Sequence, residues 1–259
     1  MTPAVLLGRL RGSLRSYTGR NAIMLLGAQI LIALSGFLFW VLVARLFEAS
    51  AVGFAASLIS SSALVAQASV LGVNQSLVRF LPGSVGPDRG RLLTTGLGVV
   101  AVAALVVGAV TFAVLALTAP AAFQGRLSLL AMLFLVNSLG TACVAVTDAA
   151  MLAVGASGRN LVGYLVGAVA RVSLPLLAAP WGTAGVLAVN ALTQFVVVGF
   201  ALLHLTGRCG LRLGSRIDGD QVRSLARFAG SNYVAGIAWT APLMALPTLN
   251  FHLLDPETA

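Results

Sequence analysis

Two ionisable residues, Arg171 and Asp148, stand inside long apolar runs. A charge at the centre of a bilayer costs about 2.5 to 3.5 kcal/mol on insertion scales, so such a residue points to a partner or a ligand. Arg171 lies about midway along the run Asn160 to Ala179, and Asp148 lies near the end of the run Leu127 to Val154. At 1.5 Å per residue their depths differ by about 6 Å, and only the short link Gly155 to Arg159 separates the two runs. Three arrangements are open to them. They can form an ion pair that fixes two consecutive helices. Arg171 can instead contact an anion in a central cavity, with Asp148 as its counter-ion or as a site for H+ or Na+. Or Arg171 can snorkel toward the interface and do neither.

Weaker polar signals accompany them: Asn74 with Gln75, then Asn137, then Asn190, Thr193 and Gln194. Amides and hydroxyls in apolar helices more often bond a neighbouring helix than a ligand. Gly163 and Gly167 have the GxxxG spacing that lets two helices approach closely. Pro242 and Pro247 interrupt the last apolar run and are candidate hinges, because a broken helix frees backbone groups and flexes. His252 reads as an interfacial residue. No phosphate-binding loop, no aspartate-rich pair for a metal and diphosphate, and no row of spaced arginines is present. The reading is therefore a non-enzyme with no cofactor and no metal site.

The elements that position these residues follow from composition. Of 259 residues, 59% are hydrophobic and only 9% charged, against roughly 25% charged in a typical soluble domain. With a mean hydropathy of +0.99, the chain lacks the charge to cover a surface in water. A soluble enzyme, a disordered tail and, with two cysteines, a disulfide scaffold are excluded. The net charge of +9 comes from 16 basic residues that are all Arg and that punctuate the apolar runs. That placement suits membrane topology and anionic lipid, with no nucleic-acid partner.

Seven runs are long enough to cross a bilayer: Asn21 to Ala44, Val52 to Val78, Leu92 to Thr118, Leu127 to Val154, Asn160 to Ala179, Thr183 to Leu205 and Phe228 to Leu254. They lack the alternation of membrane strands, so the expected fold is all-α, a polytopic membrane helix bundle. With the N-terminus inside, thirteen arginines fall on cytoplasmic ends and only Arg45 and Arg126 outside, which sets the orientation. Residues 1–20 read as a basic cytoplasmic segment. Leu6, Leu10, Leu14 and Tyr17 make an apolar stripe that can lie along the inner surface, and a loose basic leader suits the same residues. Residues 21–206 form a six-helix lobe, 207–227 a basic cytoplasmic linker, and 228–259 the first helix of a second unit. An odd helix following a six-helix block suggests the first half of a longer protein.

The run from Gly36 to Ala56, GFLFWVLVARLFEASAVGFAA, resembles the opening of the polysaccharide biosynthesis and oligosaccharide flippase family. Ala44, Arg45 and Gly53 carry that likeness. Leu71 to Pro82, LGVNQSLVRFLP, and Arg227 to Tyr233, RFAGSNY, with Pro242 and Pro247 following, look like the same family. It belongs to the multidrug, oligosaccharidyl-lipid and polysaccharide exporter superfamily. The resemblance implies two pseudo-symmetric lobes, of which this chain supplies the N-terminal one and one helix more. It further implies transport of a polyprenyl-diphosphate-linked saccharide from the inner to the outer leaflet of a bacterial inner membrane, often coupled to an H+ or Na+ gradient. Arg171, with Arg45 and Arg79 at the helix mouths, would then attract the diphosphate. The competing readings are a cation-coupled multidrug extruder of the same superfamily and a non-transporting membrane scaffold for glycan enzymes.

Overall fold

Helices follow one another along the chain because apolar residues surround each axis, and most of the breaks contain or adjoin glycine or proline, the break at Phe47 and Glu48 between the first two being the exception. The computed structural model describes residues 17–123, 125–214 and the isolated positions Gly219 and Arg223. Among the described residues the helices are α1 (Tyr17–Leu46), α2 (Ala49–Ser69), α3 (Val73–Phe80), α4 (Pro87–Thr118), α5 (Leu127–Ala153), α6 (Ser157–Ser173), α7 (Pro175–Ala178) and α8 (Gly182–Gly207), with no strand. Five stretches are long and apolar enough to cross a membrane: Ile23–Leu46, Ala49–Ser69, Pro87–Thr118, Leu127–Ala153 and Ser157–Gly207. The architecture is that of a membrane helix bundle. The seventh expected span, with Pro242, Pro247 and His252, lies outside the described residues, as does the stripe at Leu6, Leu10 and Leu14.

One expected span needs correction. Val52 to Val78 is not one helix: Leu71 and Gly72 both adopt left-handed backbone, with φ of 51° and 73°, and split it into α2 and α3. Hydropathy does not register this break, since Val70, Leu71 and Val73 are all apolar. The fifth and sixth expected spans correspond to α6 with α7 and to α8, two arms of the 51-residue apolar stretch Ser157–Gly207 that folds back on itself. Pro175 opens α7 at a position where its missing N–H costs nothing, and Gly182, with φ of 56°, opens α8.

The bundle has two ends, and α1 begins at the proximal one. α1 and α6 run parallel: Gly27 faces Leu161, and Gly36 faces Arg171. α6 and α8 run antiparallel and close together because Gly163 and Gly167 present no side chain. A Cβ on Gly163 would stand 2.8 Å from the Phe200 ring, and one on Gly167 would stand 2.6 Å from Val197. The GxxxG spacing thus marks a real contact. At the proximal end the chain after α8 crosses the start of α4, where a Cβ on Gly90 would lie 1.7 Å from the Arg212 carbonyl oxygen. The Gly214 amide donates to Thr94 Oγ1 at 2.9 Å, and Leu211 is buried beneath.

Apolar packing falls into two clusters. The distal one gathers Phe39, Leu58, Phe112, Phe134 and Leu187; the proximal one gathers Leu77, Leu93, Val146, Met151 and Leu205. On α5 the first ends at Phe134 and the second starts at Ala142, while on α8 the limits are Val189 and Ala201. Buried polar residues occupy the gap: Ser62, Asn137, Ser138, Asn190 and Thr193. Exposed positions include Phe37, Val106, Leu117 and Leu203, so the outside is as apolar as the inside. Hydrocarbon suits such a surface, whereas water would leave it a continuous sticky patch.

Candidate functional site

A polar chain runs through the gap between the apolar clusters. Arg171 Nη2 donates to Asn190 Oδ1 at 3.1 Å, and Asn190 Nδ2 donates to Asn137 Oδ1 at 2.7 Å. Asn137 Nδ2 then donates to Ser62 Oγ, and Ser62 Oγ donates to the Ile59 carbonyl at 2.7 Å. The chain therefore ties α6, α8, α5 and α2 together at one level. The Arg171 guanidinium also lies over the Phe39 ring, 5.2 Å from its centroid, which adds α1. Gly36 leaves room for that approach, since its Cβ position is 3.8 Å from Arg171 Nη1. Arg171 Nε is buried with no hydrogen-bond partner.

Asp148 is settled elsewhere. Asn160 Nδ2 donates to its Oδ1 at 3.0 Å, and the Tyr164 hydroxyl donates to its Oδ2. Asn160 and Tyr164 are four residues apart, so both project from the same face of α6. Among the described residues no salt bridge joins Asp148 to Arg171, which overturns the ion-pair arrangement. The reason is register. The α5–α6 turn sets Asp148 opposite Asn160 and Tyr164, and Arg171 lies about 10 Å farther along α6 at 1.5 Å per residue. Depths counted from span ends left that offset too small.

The carboxylate opens onto a cleft of about 440 Å³ at the proximal end, between α1, α3, α5 and α6. Its polar lining is Gln29, Asn74, Gln75, Asp148, Asn160 and Tyr164. Among the described residues none of the lining side chains is basic. Asn74 and Gln75 reach the cleft because the left-handed turn at Leu71 and Gly72 redirects α3 toward it. A second proximal cavity, lined in part by Asn21, Arg89 and Cys209, holds about 490 Å³, but Arg89 there is bonded to the Ser84 and Pro82 carbonyls.

The candidate residues do not converge on one site. Arg45 is exposed at the end of α1 and therefore distal. Arg79 is exposed near the end of α3, beside the proximal cleft, with its guanidinium 5.8 Å from the Phe80 ring. Arg171 lies between those levels. Thr193 bonds back within its own helix, donating to the Val189 carbonyl at 2.9 Å, and Gln194 packs near Gly140. The sequence reading missed Asn160, Tyr164 and Gln29. The four-residue spacing of Asn160 and Tyr164, opposite an isolated Asp across a short turn, was the available signal. No metal-binding group of His, Cys, Asp or Glu occurs among the described residues. No family model matches the chain, and no curated protein or solved structure matches it significantly.

Proposed function

We propose that this protein is the N-terminal lobe of a flippase that moves a polyprenyl-diphosphate-linked saccharide from the inner to the outer leaflet by alternating access. One observation carries the reading: Arg171 brings a guanidinium into an apolar bundle with no carboxylate beside it among the described residues. Its described partners are one neutral amide and an aromatic face, and its Nε is unpaired. A positive charge so placed favours an anionic ligand, and a diphosphate supplies two charged groups with acceptor oxygens matched to a guanidinium. The sequence likeness in the Gly36 to Ala56, Leu71 to Pro82 and Arg227 to Tyr233 runs points the same way.

In this reading Arg45 and Arg79 act at opposite mouths of the path, since they stand at opposite ends of the bundle, and Arg171 acts between them. The saccharide needs a polar route, because each unpaired polar group stripped of water costs several kcal/mol, while the prenyl tail stays in lipid. Asp148, which no ion pair joins to Arg171 among the described residues, is the carboxylate through which an H+ or Na+ gradient acts. A second lobe faces this one across the path, Pro242 and Pro247 are its hinge, and the N-terminus is cytoplasmic in a bacterial inner membrane.

Disrupting the gene in its host and quantifying lipid-linked saccharide on each leaflet tests the proposal. The expected result is accumulation inside with loss of surface glycan, reversed by the native gene and not by an inserted Arg171→Ala variant. Unchanged lipid intermediates in a host with no redundant flippase would sink the flippase reading. Full rescue by Arg171→Ala would remove the anion-binding role.

A further inference from the structure

We infer that the cleft beside Asp148 is a binding site for a small organic cation, an ammonium group on a hydroxyl-bearing body. The lining, the hydrogen bonds and the volume of the cleft carry this independently of the flippase reading. Among the described residues the cleft is lined by a carboxylate and by no basic side chain, a lining that favours a cation over an anion. Both carboxylate oxygens are held by protein donors, Asn160 and Tyr164, which aim the remaining lone pairs and leave them open to a ligand donor. The Tyr164 hydroxyl gives its proton to Asp148, so its own oxygen is free to accept.

Volume separates an organic cation from a bare ion. The cleft holds about 440 Å³, whereas one water occupies about 30 Å³ of liquid, and small-molecule sites span about 300 to 1,000 Å³. A dehydrated sodium ion would leave most of that space to water. Gln29, Asn74 and Gln75 add amides around the carboxylate, which carry both donors and acceptors, although the Asn74 oxygen already accepts from the Gln75 amide at 2.9 Å; such a lining suits hydroxyl groups on the ligand body. Leu25, Val78 and Leu152 complete the wall with apolar surface, on which the carbon face of such a body can rest.

The test compares glucosamine, its neutral counterpart glucose, and sodium chloride on the full chain purified in micelles, by calorimetry and by thermal unfolding. Glucosamine should bind saturably and raise the unfolding midpoint, and glucose should bind at least about tenfold more weakly, as expected when a buried charge pair is lost. Asp148→Asn keeps the shape and the bond from Asn160, reverses the bond to Tyr164 so that the new amide donates to the hydroxyl oxygen, and should lose the preference for glucosamine over glucose. Ala145→Phe, which fills part of the cleft from α5 and leaves every polar lining residue in the sequence, should abolish binding and keeps the test valid if Asp148→Asn does not fold. Equal binding of the two sugars, protection by sodium alone, or no saturable binding of glucosamine would each overturn the inference. Because nothing here depends on transport, a failed flippase assay leaves this outcome unaffected.

Discussion

The Arg171 chain and the Asp148 cleft place opposite charges in one bundle and settle them differently. Arg171 is drawn into a closed run of hydrogen bonds that spans four helices and separates two apolar clusters. Asp148 holds only two donors, both from α6, and faces open volume. The first arrangement fastens helices to one another, while the second leaves a group oriented and accessible. An ionisable residue in an apolar run therefore signals two distinct things, and its neighbours across the helix interface decide which.

Severing the closed chain at its middle should give the largest effect. Asn137→Leu removes both the acceptor for Asn190 and the donor to Ser62, leaving buried polar groups that each cost about 1 to 3 kcal/mol, moderated by the weaker coupling found between membrane helices. We expect a loss of about 2 kcal/mol in reversible unfolding in micelles, with ligand binding in the cleft retained. A loss below about 0.5 kcal/mol would show that the chain does not fasten the bundle.

A smaller effect should follow from prying α6 from α8. Gly167→Ala sets a methyl 2.6 Å from Val197 Cγ2, and a side chain can yield where backbone cannot, so the cost should be about 1 to 2 kcal/mol. Gly158→Ala is the matched control, since nothing lies within 4 Å of its Cβ position, and it should be neutral or slightly stabilising. If both variants unfold alike, the close approach of α6 and α8 contributes nothing.

The smallest effect belongs to the open site. Tyr164→Phe removes one of the two donors to Asp148, and because water can enter the cleft and replace it, the stability change should stay below about 1 kcal/mol. A loss larger than that of Asn137→Leu would erase the contrast between the two regions.

Much of this was legible beforehand. Apolar runs located the helices, Gly163 and Gly167 announced a close contact, and Asn137 with Asn190 read as links between helices. Two features escaped, for different physical reasons. The break at Leu71 and Gly72 is a backbone event among apolar residues, so hydropathy passes over it, although it is what brings Asn74 and Gln75 to the cleft. The separation of Asp148 from Arg171 depends on the register of a helical hairpin, and a few residues of uncertainty at each span end outweigh the offset that decides it. Tyr164 was overlooked because a lone tyrosine in an apolar helix acquires meaning only from what stands opposite.

Donation along the Arg171 chain runs in one direction, from guanidinium to Asn190, to Asn137, to Ser62 and finally to the Ile59 carbonyl. A guanidinium cannot accept and a carbonyl cannot donate, so the two ends dictate the sense of every bond between them. The orientations of two amides and a hydroxyl are thus a single binary setting. An acceptor that drew Arg171 away from Asn190 would unlock that setting at its source. The news would reach α2 by side chains turning in concert, with no helix having moved.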